Sequence, residues 1–168
     1  MTKLPKFETA RLTAYEPNLE FLDEYAAMLA NEEFIACYGV YFNRDQAKER
    51  LISDIEHFQE KNFAPFYWRD KKSGEFIGRG GLKTCEVEGQ KEVELAYAIA
   101  RKFWGSGIAK EIGDFSLEFA LNFGLKNLVC FTLLKNFQSL RVMEKCGFVY
   151  EKDFLYREKL HKLHRLRI

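Results

Sequence analysis

Charge of one sign is missing from this chain: 26 Lys and Arg stand against 25 Asp and Glu, a net charge of +1 over 168 residues. A protein held by nucleic-acid backbone phosphates carries a basic excess, so that class is disfavoured. Long apolar runs are missing too. No stretch approaches the ~18 residues of a membrane-spanning helix, and no charged-then-apolar signal segment opens the chain. The four cysteines, Cys37, Cys85, Cys130 and Cys146, form no C-x-x-C pair. Zinc ribbons and thioredoxin-like redox motifs are therefore unsupported, and the thiols read as small, free, buried hydrophobes. Histidine is scarce. His57 stands alone on a helix and reads as a surface or boundary residue, while His161 and His164 fall on opposite faces of a strand, which disfavours a shared metal. Repeats, low-complexity tracts and long linkers are absent. These absences point to a cytoplasmic chain forming one domain over residues 1–168, with no metal, nucleic acid or membrane partner.

Apolar residues make up 47% of the chain and aromatics 15%, with sixteen Phe, enough for one bulky core or a wide apolar cleft. Their spacing predicts the elements. Phe7 to Tyr15 reads as a first strand. Asn18 can cap a helix whose apolar positions run from Leu19 to Leu29. Phe34 to Phe42 reads as an apolar linker that either packs inward or lines a pocket. Asn43 with Gln46 makes a capping-box start for a helix running to about Lys61. Two strands, Phe63–Arg69 and Glu75–Thr84, flank a polar turn, and Gly78, Gly80 and Gly81 imply a bulge or a close backbone neighbour. A central strand, Glu92–Ala100, precedes a helix with Ile108, Ile112, Phe115, Phe119 and Phe123 on one face and Gly124 as its cap. The apolar run Leu128–Leu134 reads as a strand buried on both faces, parallel to the central strand through a right-handed crossover. A short helix to Lys145 and a closing hairpin follow.

The central strand meets that helix through Gly105-Ser106-Gly107, a ready anion site. First-turn helix amides have no internal partner, the dipole is positive there, and glycines admit close backbone approach. The spacing is not G-x-G-x-x-G, since Lys110 holds the third position, and no Gly-Lys-Ser/Thr makes a P-loop. The stretch Lys102-Phe103-Trp104-Gly105-Ser106-Gly107-Ile108-Ala109 instead resembles the pyrophosphate turn of the GNAT acetyltransferases. Asn136 to Phe148 resembles the Asn-x-x-Ser…Glu-Lys-x-Gly-Phe segment of the ribosomal-protein N-terminal acetyltransferase-like branch, and Thr9-Ala10-Arg11-Leu12 resembles its Thr-x-Arg-Leu opening. The likeness covers nearly the whole chain in the expected order.

The resemblance implies an α/β (α+β) GNAT fold. Its mixed, mostly antiparallel sheet has about seven strands, a splayed fourth and fifth pair, and about four flanking helices. It implies acetyl transfer from acetyl-coenzyme A to a primary amine, a protein N-terminus or a small molecule, in a monomer or homodimer. Backbone amides of Trp104 to Ala109 would hold the pyrophosphate, and backbone groups of Tyr97, Ala98 and Ile99 would meet the pantetheine arm. Asn136 is a cofactor contact, a helix N-cap, or both. Ser139 either donates a proton near the sulfur or fills the first helical turn. Many family members carry a Tyr seven residues after the Asn; here that position is Met143, which cannot donate. Glu94, in Val93-Glu94-Leu95-Ala96-Tyr97, matches the family's Val-Glu-Ile-Gly-Tyr and is the candidate base, with a rim carboxylate or a lysine-paired strand residue as alternatives. Glu92 shares its face. Two other classes remain open: a non-catalytic acyl-coenzyme A-binding module on the same fold, and an unrelated nucleotide-binding domain.

Overall fold

A computed structural model describes residues 6–168. The strands are β1 (Phe7–Glu8), β2 (Leu12–Tyr15), β3 (Pro65–Asp70), β4 (Phe76–Val87), β5 (Gln90–Ile99), β6 (Asn127–Leu133), β7 (Val149–Tyr156) and β8 (Lys159–Arg167). The helices are α1 (Leu22–Leu29), α2 (Glu32–Tyr38), α3 (Arg44–Lys61), α4 (Ile108–Asn122) and α5 (Phe137–Lys145). The strands form one open sheet in the order β1-β2-β3-β4-β5-β6-β8-β7. Every neighbouring pair is antiparallel except β5 and β6, the ends of the crossover through α4.

Strand alternation sorts the core into two faces. Tyr67 of β3 and Ala98 of β5 pack with Tyr25, Leu29, Phe34 and Leu51 under α1, α2 and α3. Their neighbours Phe66, Trp68 and Ile99 pack with Ile108 and Ile112 of α4 on the other side. The β4–β5 ladder runs continuously from Gly78↔Ile99 to Val87↔Gln90. By contrast β5 and β6 register only at Glu94↔Val129. Cys130 Sγ still reaches the Leu95 carbonyl at 3.2 Å, but beyond it the two strands keep no register and leave a gap beside Tyr97 and Ile99.

Four local expectations are revised. Among the described residues the sheet has eight strands and the fold five helices, where about seven and about four were expected. The predicted first strand is broken at Thr9–Arg11, because Thr9 Oγ1 and the Arg11 amide both turn to Glu111 on α4, at 2.6 and 2.9 Å. That break advances the ordinals, so the splayed pair is the fifth and sixth strand. The third revision is Phe34–Phe42, which is not simply a linker. Asn31 accepts from the Phe34 amide, Glu32 and Glu33 occupy the first turn, and Gly39 closes α2 at φ 69°. Both readings of its apolar residues hold in part: Phe34 is fully buried, while Tyr38 lines a cavity. Last, His57 is an interior residue. Its Nδ1 donates to the Phe63 carbonyl at 2.7 Å, leaving Nε2 to accept from the Thr84 amide at 3.1 Å.

Candidate active site

A cavity of about 310 Å³ opens where β5 ends, bounded by the glycine turn, the first turn of α4 and the outer face of α5. After β5 the chain makes a 3-10 turn (Arg101–Phe103), and Gly105 and Gly107 then take φ of 76° and 80°. These left-handed values favour glycine over any residue with a Cβ. Gly107 is the N-cap of α4 and supplies no side-chain acceptor, so the first helical bond is Glu111 N–H to the Gly107 carbonyl, 3.0 Å. The amides of Ile108, Ala109 and Lys110 are left open at the cavity wall. Three cations, Lys110, Arg141 and Lys145, stand around them. Lys145 falls in the Glu-Lys-x-Gly-Phe segment, but nothing local gave it or Arg141 a role at the turn, because their closeness to it depends on α5 folding back across the sheet.

The turn is held from outside. Arg11 Nη1 donates to the Ser106 carbonyl at 2.8 Å and Arg11 Nε to Glu111 Oε2 at 2.6 Å. Burial pushes the Glu111 carboxyl up, but donation from Thr9 and Arg11 outweighs it and holds the group below the ordinary range. Thr9, Arg11 and Glu111 thus form a strap between β2 and the start of α4.

The gap between β5 and β6 has a chemical sense. Backbone groups of consecutive residues point to opposite edges; Ala100 N–H bonds to Ile77 of β4, so Tyr97 and Ile99 both face the gap. Their carbonyls are covered: Tyr38 O–H donates to Tyr97 O at 2.6 Å and Trp104 Nε1–H to Ile99 O at 2.8 Å. The exposed edge therefore offers mainly N–H donors, suited to a ligand rich in carbonyl oxygens. Burial pushes the Tyr38 phenol well up, so it stays a donor.

Across the cavity, Asn136 caps α5 by accepting from Ser139 N–H at 3.2 Å. Its Nδ2 has no protein partner among the described residues and is left to the cavity. Ser139 Oγ lies 2.8 Å from the Tyr97 hydroxyl, a pairing no local motif announces. Met143 is buried in the core beneath α5. Of the other residues singled out by sequence, Phe103, Trp104, Ile108 and Ala109 line the cavity, whereas Lys102 turns away to pair with Glu75. The Ser106 hydroxyl bonds back to the Phe103 carbonyl, and the Ala98 side chain packs into the α1–α3 core.

On that α1–α3 side, Glu92 and Glu94 separate. Glu92 is bound by Arg165, at 2.8 and 3.1 Å. Glu94 is half-buried with no ion pair among the described residues. Burial raises its carboxyl to about 7, against the pull of Arg79, Arg50, Lys83 and Arg157. Among the described residues no three His, Cys, Asp or Glu side chains gather as metal ligands, and no helix is long and apolar enough to cross a membrane.

A parallel strand pair joined at one register point thus lies beside a glycine-capped helix start. The chain belongs to the acetyltransferase (GNAT) family, whose domain description matches residues 11–149. It is 35% identical over 114 residues to the Bacillus subtilis protein called "Uncharacterized protein YkkB", a match spanning 65% of each chain. Among solved structures, the Bordetella pertussis protein called "Putative GnaT-family acetyltransferase" superposes at a TM-score of 0.83 with 23% identity, over 95% of this chain and 98% of that one. The ribosomal-protein-S5-alanine acetyltransferase of Vibrio fischeri superposes at 0.74 with 19% identity, over 96% and 95%. At these identities the two structures speak for the shared fold.

Proposed function

We propose that this protein moves an acetyl group from acetyl-coenzyme A to a primary amine by direct attack of the amine on the thioester. The acceptor is a protein N-terminus or a small amine, and the setting is the cytoplasm. The observation that carries this reading is the bare first turn of α4, whose open amides line a cavity ringed by Lys110, Arg141 and Lys145. Those amides and cations suit the coenzyme's phosphates. The donor-rich edge at Tyr97 and Ile99 and the free Nδ2 of Asn136 suit the amide carbonyls of its pantetheine arm. When bound, the coenzyme supplies the acetyl group already activated as a thioester.

The chain's own residues then have three tasks. The Tyr97 and Ile99 amides fix the thioester beside the gap and offer N–H groups to the oxygen that gains charge. Glu94, poised near neutrality, takes a proton from the acceptor's ammonium, directly or through water. Ser139, oriented by the Tyr97 hydroxyl, stands near the departing sulfur and donates to it; a coenzyme thiolate leaves readily enough for this help to be modest.

Calorimetry on Gly107→Glu tests the reading. A carboxylate at the cap competes for the open amides and repels phosphates, so acetyl-coenzyme A binding should vanish while the circular-dichroism spectrum stays unchanged. Unchanged affinity removes the phosphate assignment. Tight binding by the parent protein without thiol release for any amine tested makes it a binding module instead.

A further inference from the structure

Lys83 is the residue directly opposite Glu94 in the β4–β5 ladder. Opposite charges so placed, on one face of an antiparallel pair, normally bond across the strands. Here they do not. Lys83 Nζ turns to α3 and donates to Asp54 Oδ1 at 2.7 Å and to Ser53 Oγ at 3.0 Å. Asp54 is wholly buried, and it also receives Arg79 Nε at 2.5 Å, Arg79 Nη2 at 2.8 Å and the Tyr67 hydroxyl at 3.1 Å. One buried carboxylate thus gathers both β4 cations on the Glu94 face.

We propose that Asp54 is a positioning residue: by holding Lys83 on α3, it keeps Glu94 without an ion-pair partner and open to a substrate ammonium. This rests on the proposed role of Glu94 as base. The other charged or titratable groups acting on Glu94 are Arg79 and Cys85 of β4, Arg50 of α3, Cys130 of β6, Tyr156 of β7 and Arg157 of the following turn. Arg79 is fixed on Asp54, Arg50 stacks on Phe42 with its Nε on the Tyr25 hydroxyl, and Arg157 lies over Tyr156. Cys85 and Cys130 have their thiols pushed up by burial and stay neutral. Lys83 is therefore the cation with both the ladder position and the flexible stem to close on Glu94.

The test follows the Glu94 carboxyl by its ¹³C signal as pH is varied, assigned by its loss in Glu94→Gln, beside the pH profile of acetylation. Asp54→Asn removes the charge that binds Lys83. The Glu94 midpoint should then fall by at least about one pH unit as Lys83 swings across. The acidic limb of the rate should fall with it, and the double variant Asp54→Asn/Lys83→Met should return both toward the parent. A merely structural loss would not be repaired by the second substitution. An unmoved midpoint in Asp54→Asn overturns the proposal. Lys83→Met alone keeps Asp54 bound to Arg79 and decides the matter if Asp54→Asn does not fold. With Lys83 held away, the Glu94 midpoint should rise by no more than about half a unit; a rise above about one unit means Lys83 already pairs with Glu94 and overturns the proposal. Midpoints that move as stated while the rate ignores them uphold the hold on Lys83 and remove Glu94 as the base.

Discussion

Glu94→Gln separates the cost of burying a carboxylate from its use. Burial, the main cause, raises this carboxyl to about 7 against an ordinary 4.5. Stability tied to the group is full below the ordinary value, declines as pH rises to about 7, and is flat above. A tenfold change in proton affinity is worth about 1.4 kcal/mol, so ionising Glu94 in the folded chain costs at most about 3 kcal/mol. Water entering the half-buried site lowers that figure. Glutamine has no charge to bury, so near pH 8 the variant should be more stable than the parent by about 1–3 kcal/mol, with little difference near pH 4.5. Urea unfolding at the two pH values reads this directly. The rate should move the other way. Between about pH 7 and 8 Glu94 is ionised while much of an α-amino acceptor is still ammonium, so the variant loses most there and recovers above about pH 9. A loss of rate equal at every pH, with no gain of stability near pH 8, refutes both the burial and the base.

Other expectations concern the frame of the site. Tyr38→Phe strips the cover from the Tyr97 carbonyl, leaving an acceptor aimed into the gap; it should cost about 1–2 kcal/mol of stability and weaken acetyl-coenzyme A binding severalfold, and parent-like affinity by calorimetry refutes this. Glu111→Gln removes the charge shared by Thr9 and Arg11 and should cost about 1–2 kcal/mol near neutral pH. Because the Glu111 carboxyl is held low, that difference should shrink as pH falls below 4.5, which unfolding titrations at several pH values would reveal.

The elements that the chain announces are those built from near neighbours. The steps of four and three from Ile108 to Phe123 forecast α4, and Gly105 and Gly107 forecast the turn before it, because helix faces and left-handed turns are properties of a few consecutive residues. Asn43 with Gln46 forecast the start of α3, and the capping box is present in both directions. The helix α2 escaped because its signals, Asn31 and Gly39, enclose β-branched and aromatic residues that also suit a linker. Everything that sets the charge and shape of the candidate site comes from further away. Tyr38 reaches Tyr97 across 59 residues, Arg11 reaches Glu111 across 100, and Lys83 reaches Asp54 across 29.

By itself, then, the sequence determined where the chain turns, which faces are apolar and which strand leads into the glycine bend, since these follow from local spacing and backbone freedom. Only the tertiary structure decided that Glu92 is bound by Arg165 while Glu94 has no ion pair among the described residues, and that the Tyr97 carbonyl is covered by a phenol. Two glutamates on one strand face are equivalent in a pattern of alternation. They become different when the sheet brings an arginine from β8 to one and α3 draws the lysine away from the other.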